Sequence, residues 1–139
     1  MEIDYLVLAE HAEVTGNKLY LMGGGWDTMT VAEVPANVRL ILAAGVRIEW
    51  DETNAPVPLL VRVDDDDAQE VFRLEGQMNV GRPPHLPPGT SQLSQMTFAL
   101  SLKLPRFGGY RVSLTASVAE RLARRSIPFR LAGPPSPTA

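Results

Sequence analysis

The side chains able to do chemistry in this chain are few and scattered. Its two histidines, His11 and His85, lie far apart. His11, flanked by Glu10 and Glu13, has neighbours suited to carboxylate-assisted acid–base work, but a satisfied surface histidine is the favoured reading. There is no cysteine, so with no second histidine close by a catalytic zinc site lacks its ligand set. Ser94, Ser101 and Ser113 fall within strand patterns, and no Gly-x-Ser-x-Gly elbow surrounds any of them. Gly23-Gly24-Gly25 lacks the Gly-Lys-Ser/Thr ending of a phosphate loop, and no helix follows it; a bulge or bend explains it. Asp64–Asp67 offers the hard oxygens that calcium prefers. The other carboxylates, Asp51 and Glu52, sit in a turn that the intervening strand carries to the opposite end. The aspartate run therefore reads as a solvated turn. No catalytic, cofactor-binding or metal-binding residue is expected, and no cofactor.

Three features stay open. Trp26 and Trp50 are each followed by aspartate and have faces that could stack on a sugar or base, while Trp50 also has the core parity of its strand. The loop Gly81–Gln92, stiffened by Pro83-Pro84 and Pro87-Pro88, is longer than compact domains ordinarily tolerate. It is a crossover that covers a strand edge or a docking segment for a partner. Charge is also unevenly placed. From Lys103 onward seven basic residues face Glu120 alone, whereas the earlier part carries six basic and fifteen acidic side chains. In adjacent antiparallel strands these charges can pair across the ladder, with Arg111 and Arg130 on outward positions. Aromatic residues between the arginines are too few for a single-strand stacking platform. No nucleic-acid or membrane partner is expected, Arg121, Arg124 and Arg125 being the residues that would carry one.

The elements that must position these residues follow a beat of two. Val38, Leu40, Leu42, Ala44, Val46, Ile48 and Trp50 alternate with Arg39, Arg47 and Glu49 among others, the mark of a strand with one face in a core. The beat returns in Met96–Leu104 and Tyr110–Val118. Further strands are read at Asp4–Glu10, Lys18–Met22 (resuming through Trp26–Val31), Val57–Val63, Glu70–Val80 and Leu122–Leu131. Asp4–Glu10 is apolar on both parities, so it is central or covered on both faces. Phe72, Leu74, Met78 and Val80 point inward. Gly16-Asn17 closes the first hairpin, since both residues tolerate positive φ. Ser117–Arg125 has helical propensity, but strand patterns on both sides favour a hairpin. Gly108-Gly109-Tyr110 resembles the tyrosine corner of immunoglobulin-like sandwiches, where the hydroxyl bonds backbone across the turn. The fold expected is all-β, an antiparallel two-sheet β-sandwich of immunoglobulin-like architecture with about eight strands. Trp50, Phe98, Tyr110 and Phe129 should be buried.

A length of 139 residues with 45% hydrophobic and 21% charged side chains suits one domain, here 1–131, with a disordered Pro-rich tail at 132–139. The start, Met1-Glu2-Ile3-Asp4-Tyr5, has no basic n-region, and nothing approaches the roughly 20 apolar residues that span a bilayer. A cytoplasmic, bacterial protein is expected.

The stretch Leu8-Ala9-Glu10-His11-Ala12-Glu13-Val14, followed by Gly16-Asn17-Lys18-Leu19-Tyr20-Leu21-Met22-Gly23-Gly24-Gly25-Trp26-Asp27, resembles a family of small uncharacterised bacterial proteins, domain of unknown function 6941. The resemblance implies a first hairpin ending in Lys-Leu-x-Leu-x-Gly, a proline before the next strand and sandwich-like strands beyond. It implies no activity, ligand or catalytic residue. The function expected is a non-enzymatic binding or assembly module that associates with itself or with a protein partner, because Ile41, Ala43 and Leu60 are apolar on outward parity and need cover. The alternative is a small-ligand or carbohydrate-binding domain using Trp26 and the loops at one end.

Overall fold

The computed structural model describes residues 1–135 and contains nine strands. In chain order they are β1 (Glu2–Thr15), β2 (Lys18–Gly24), β3 (Thr28–Thr30), β4 (Ala36–Ile48), β5 (Pro56–Asp65), β6 (Glu70–Asn79), β7 (Gln92–Leu104), β8 (Gly108–Val118) and β9 (Arg121–Ala132). One sheet has the order β2-β1-β4-β7 and the other β3-β9-β8-β5-β6. The sole helical element among the described residues is a 3-10 turn at Trp50–Glu52, and no helix is long and apolar enough to cross a membrane. Ala132 closes β9, while 136–139, within the tail expected to be disordered, lie outside the described residues.

The two sheets enclose one apolar core. Leu8, Leu42, Val46 and Leu100 from the first meet Val61, Val112, Leu114 and Leu131 from the second, all at most 1% exposed. Tyr110 and Phe129 stack within it at 5.4 Å between ring centroids. The Tyr110 hydroxyl donates to the Arg106 carbonyl at 2.6 Å and accepts the Arg106 amide at 3.2 Å, so the corner read from Gly108-Gly109-Tyr110 forms. β8 and β9 make the hairpin favoured over a helix.

Four details differ from the sequence reading. The strand expected to resume through Trp26–Val31 changes sheets: β3 joins the second sheet, parallel to β9, with Met29 opposite Leu131. Gly23 (φ +64°) and Gly25 (φ +79°) take the left-handed conformation needed to leave the first sheet, a region closed to most other residues. Trp50 is half-buried, because β4 ends at Ile48 and the chain enters the 3-10 turn. Phe98 is half-buried since β7 is an edge strand. Leu74, on edge strand β6, is exposed.

β1 carries the feature that most shapes the molecule. It pairs with β4 only as far as Ala9 opposite Ile41, while its remainder pairs with β2 alone. A straight continuation would carry the hairpin tip roughly 25 Å beyond Ala9, at ~3.3 Å per residue. Instead Asn17 at the tip accepts a hydrogen bond from Gln95 Nε2 at 2.8 Å, and Gln95 Oε1 accepts one from the Tyr5 hydroxyl at 2.7 Å. Gln95 stands opposite Gly45, so the hairpin folds back as an arm over the outer face of the first sheet. Beneath it Ala9, Ala12 and Ala43 form a second buried cluster, flanked by Tyr5, Leu19 and Ile41. Tyr5 lies over Gly45, where a β-carbon would collide with its ring. Partial burial raises the Tyr5 phenol's pKa, keeping it a donor.

Phe129→Ala should cost roughly 3–5 kcal/mol in denaturant unfolding, the usual penalty for an emptied aromatic core site. Gly45→Val should displace Tyr5, costing roughly 1–3 kcal/mol, and accelerate amide hydrogen exchange in Tyr20 and Met22 as the arm loosens. Unchanged exchange there would show that Tyr5 does not hold the arm.

Candidate functional site

The polar residues singled out above are mostly occupied with structure. In the Asp64–Asp67 turn, Asp65 Oδ1 accepts the amides of Gln69 and Asp67, both at 2.9 Å, and its Oδ2 accepts Arg106 Nη2 at 2.6 Å. The Gln69 amide, then that of Asp67 and the Arg106 guanidinium, hold the Asp65 carboxyl below its ordinary pKa against its desolvation. Asp66 Oδ2 accepts the Gly109 amide at 3.1 Å. The turn thus ties β5–β6 to the entry of β8. Among the described residues no group of three or more His, Asp or Glu side chains is placed to hold a metal ion.

At the other end of β5, Arg121 clasps Asp51 with two bonds of 2.8 and 2.6 Å. Glu52, 2% exposed, accepts its own helix-start amide, Glu49 N, at 2.8 Å. Its Oε1 lies 3.2 Å from the Met1 amine. Its Oε2 makes no hydrogen bond of good geometry and is balanced by charge, with Arg121 Nη1 3.3 Å away. Burial resists the ionisation of Glu52, but the Glu49 amide, the amine and Arg121 outweigh it, so its pKa falls below the ordinary value. Arg125 donates to the Ile3 and Asp4 carbonyls. Of the seven basic residues from Lys103 onward, Arg106 and Arg121 meet carboxylates, supplied by the end of β5 and by the 3-10 turn; Arg111 and Arg130 make no ion pair among the described residues, and Arg111 donates to Ser126 instead.

Neither histidine hydrogen-bonds another side chain among the described residues. Ser94 and Ser101 lie in β7 and Ser113 is buried in β8. The face of Trp50 is covered by the Arg82 guanidinium, 4.1 Å from the ring centroid. Arg82 also donates to the Trp50 carbonyl and the Thr53 hydroxyl, each at 2.6 Å. That anchor pins the start of the Pro-rich loop, and Gln92 Nε2 closes its base on the Gly81 carbonyl at 2.8 Å. Trp26 sits at the crossing between sheets. Its buried indole N–H has no acceptor among the described residues, a deficit of roughly 1–3 kcal/mol.

The surface that stands out is the free edge of the arm, which sequence reasoning missed. β2 is exposed along nearly its whole length, with Tyr20 at 54% and Met22 at 71%. The Gly16-Asn17 turn, with φ of +58° and +60°, fits the type I′ geometry that makes Thr15 and Lys18 a hydrogen-bonded pair. Alternation then points the backbone groups of Lys18, Tyr20 and Met22 toward β1 and those of Leu19, Leu21 and Gly23 outward. The signal was present in the unbroken apolar run Leu19-Tyr20-Leu21-Met22, too apolar for a strand with one wet face.

These features define an all-β protein of two facing sheets with a folded-back arm and an open apolar edge, and no convergent catalytic group among the described residues. The chain belongs to the family of unknown function DUF6941, whose model matches residues 4–131, from β1 to the penultimate residue of β9. No curated protein matches it.

The Glu52 cluster makes a pH prediction. A carboxyl whose pKa is lowered by folding stabilises the protein above the unfolded value, and that contribution disappears as pH falls through the folded value. Glu52→Gln should cost roughly 1–3 kcal/mol at neutral pH and flatten the stability loss below about pH 4.5, measured by denaturant unfolding across pH. An equally steep acid limb in the variant would assign that loss to other carboxylates.

Proposed function

We propose that this protein is a non-enzymatic cytoplasmic assembly module that pairs with a second copy of itself along the outer edge of β2. The observation that carries this reading is the exposed run Leu19–Gly23 with its outward backbone groups. Sheet edges are ordinarily blunted by charge, proline, bulges or brevity. Edge strand β6 carries Glu70, Arg73 and Glu75, β7 carries Lys103, and β3 has three residues. β2 has one lysine, at its start.

The strand is also self-complementary. A two-fold axis through Leu21 places Leu21 opposite Leu21 and Leu19 opposite Gly23, both as hydrogen-bonding pairs. Tyr20 then faces Met22 in the close, non-hydrogen-bonded position, twice by symmetry, where thioether and ring attract. Lys18 falls opposite Gly24, so no like charges meet. An isologous contact of this kind closes on itself and builds no fibre.

Ile41 and Ala43, which on sequence alone called for a partner, lie under the arm, with Ala43 fully buried. The assembly reading therefore rests on the edge and not on that face. Acid–base candidates stand apart or are held in structural pairs, which supports a non-enzymatic role. The commitment of Arg106 and Arg121 to carboxylates weighs against nucleic-acid or membrane partners.

Sedimentation velocity should show a monomer–dimer equilibrium that shifts with concentration, in the weak range expected of a small interface. Leu21→Lys combined with Met22→Lys should leave a monomer throughout. Met22 is solvent-facing, so its change should cost no more than ~0.5 kcal/mol, while Leu21, opposite buried Ala12 and packed over Gly24, should cost on the order of 1 kcal/mol. A wild type that remains monomeric at its highest soluble concentration, or a dimer indifferent to both lysines, overturns the proposal.

A further inference from the structure

Where the arm turns away from β4, it leaves a cleft. β1 and β4 part after Ala9 and Ile41, so Arg39, the next outer-face residue of β4, has no β1 neighbour. Ala9, Glu10, Trp26, Met29, Thr30 and Arg39 line the resulting space of about 370 Å³, within the range of small-ligand sites. Its floor and walls are apolar at Ala9, Trp26 and Met29.

The cleft brings two unpaired opposite charges together. Elsewhere five arginines are matched to carboxylates: Arg47 with Asp4, Arg62 with Asp64, Arg73 with Glu70, Arg106 with Asp65 and Arg121 with Asp51. Glu10 and Arg39 are opposite charges on one cleft, yet they make no ion pair with each other or with any other described residue. Lys103, two residues past the position facing Arg39 on β7, shares a neighbouring hollow with it and adds positive potential on that side. The indole N–H of Trp26 is also without an acceptor.

We infer that this cleft binds a free α-amino acid with an apolar side chain, its carboxylate on Arg39, its ammonium on Glu10 and its side chain against Met29 and Trp26. A guanidinium holds a carboxylate through paired N–H bonds, and a carboxylate lining the same cleft selects a cation. A ligand carrying both charges at its head satisfies both residues, whereas a simple acid or amine leaves one bare. Binding uses none of the outward backbone groups of β2, and the Glu10 carboxyl lies against Gly23 of that strand.

The test uses the full chain and three probes: L-leucine, leucinamide, which lacks the carboxylate, and N-acetyl-leucine, which lacks the ammonium. Titration calorimetry is paired with the fluorescence of Trp26 in a Trp50→Phe background. Leucine should bind saturably and perturb Trp26, with each capped analogue weaker by roughly tenfold or more, as loss of a charge-assisted hydrogen bond implies. Arg39→Gln should erase the preference for leucine over leucinamide while retaining that over N-acetyl-leucine. Glu10→Gln should do the reverse. Both side chains are exposed, so an unchanged melting temperature certifies the fold. No saturable leucine binding, equal affinity for a capped analogue, or preferences that survive both substitutions overturn the inference.

Discussion

Burial of β4 on both faces is the constraint on which this structure depends. One face supplies the main core through Leu40, Leu42, Ala44, Val46 and Ile48. The other lies beneath the arm, and there its residues read Arg39, Ile41, Ala43, Gly45, Arg47. Charge occupies the ends and small apolar residues the middle, which is the outline of what covers it. Without a glycine at 45 the Tyr5 ring cannot lie flat, and without Tyr5 the hydroxyl, Gln95 and Asn17 cannot be joined. The arm, its free edge and the cleft at its root all follow from that close approach.

Electrostatics serve the ends of the sandwich more than its faces. Arg106 joins the β5–β6 turn to the β7–β8 turn, and Arg121 joins the 3-10 turn to the β8–β9 hairpin. Turn carboxylates reach arginines in other elements because they project past the ladder, where register does not restrict them. These contacts hold connections that carry little apolar surface of their own. The exposed pairs among them contribute modestly to stability; the buried Glu52 is the exception, since leaving it unpaired would strand a charge.

Much of the fold was legible because strand period is a local property. β4, β7 and β8 show it over many residues, and Gly108-Gly109-Tyr110 announced its corner through residue types with few alternative uses. What was not legible is relational. The double apolar parity of Asp4–Glu10 says that both faces are covered, but it cannot say that the chain's own hairpin is the cover. β3 has three residues, too few for a period, so its move to the second sheet left no pattern. The parity of Trp50 fits β4, yet the strand has already ended. The candidate sites were harder still, because an open edge and a cleft between diverging strands are absences of neighbours, and a sequence records only what is present.

The parallel ladder between β3 and β9 has a consequence for the order of events during synthesis. β3 is made early, but its strand partner among the described residues, β9, follows about a hundred residues later. Until then the second sheet lacks that edge, and Trp26 and Met29 have no sheet to settle on. The β1–β2 hairpin needs only its own turn and forms among the first elements. A nascent chain would therefore carry the hairpin before the strands it folds over are made, and the clasp of Asn17 and Tyr5 on Gln95 closes only once β7 has emerged, while the distant strands of a high-contact-order fold are awaited.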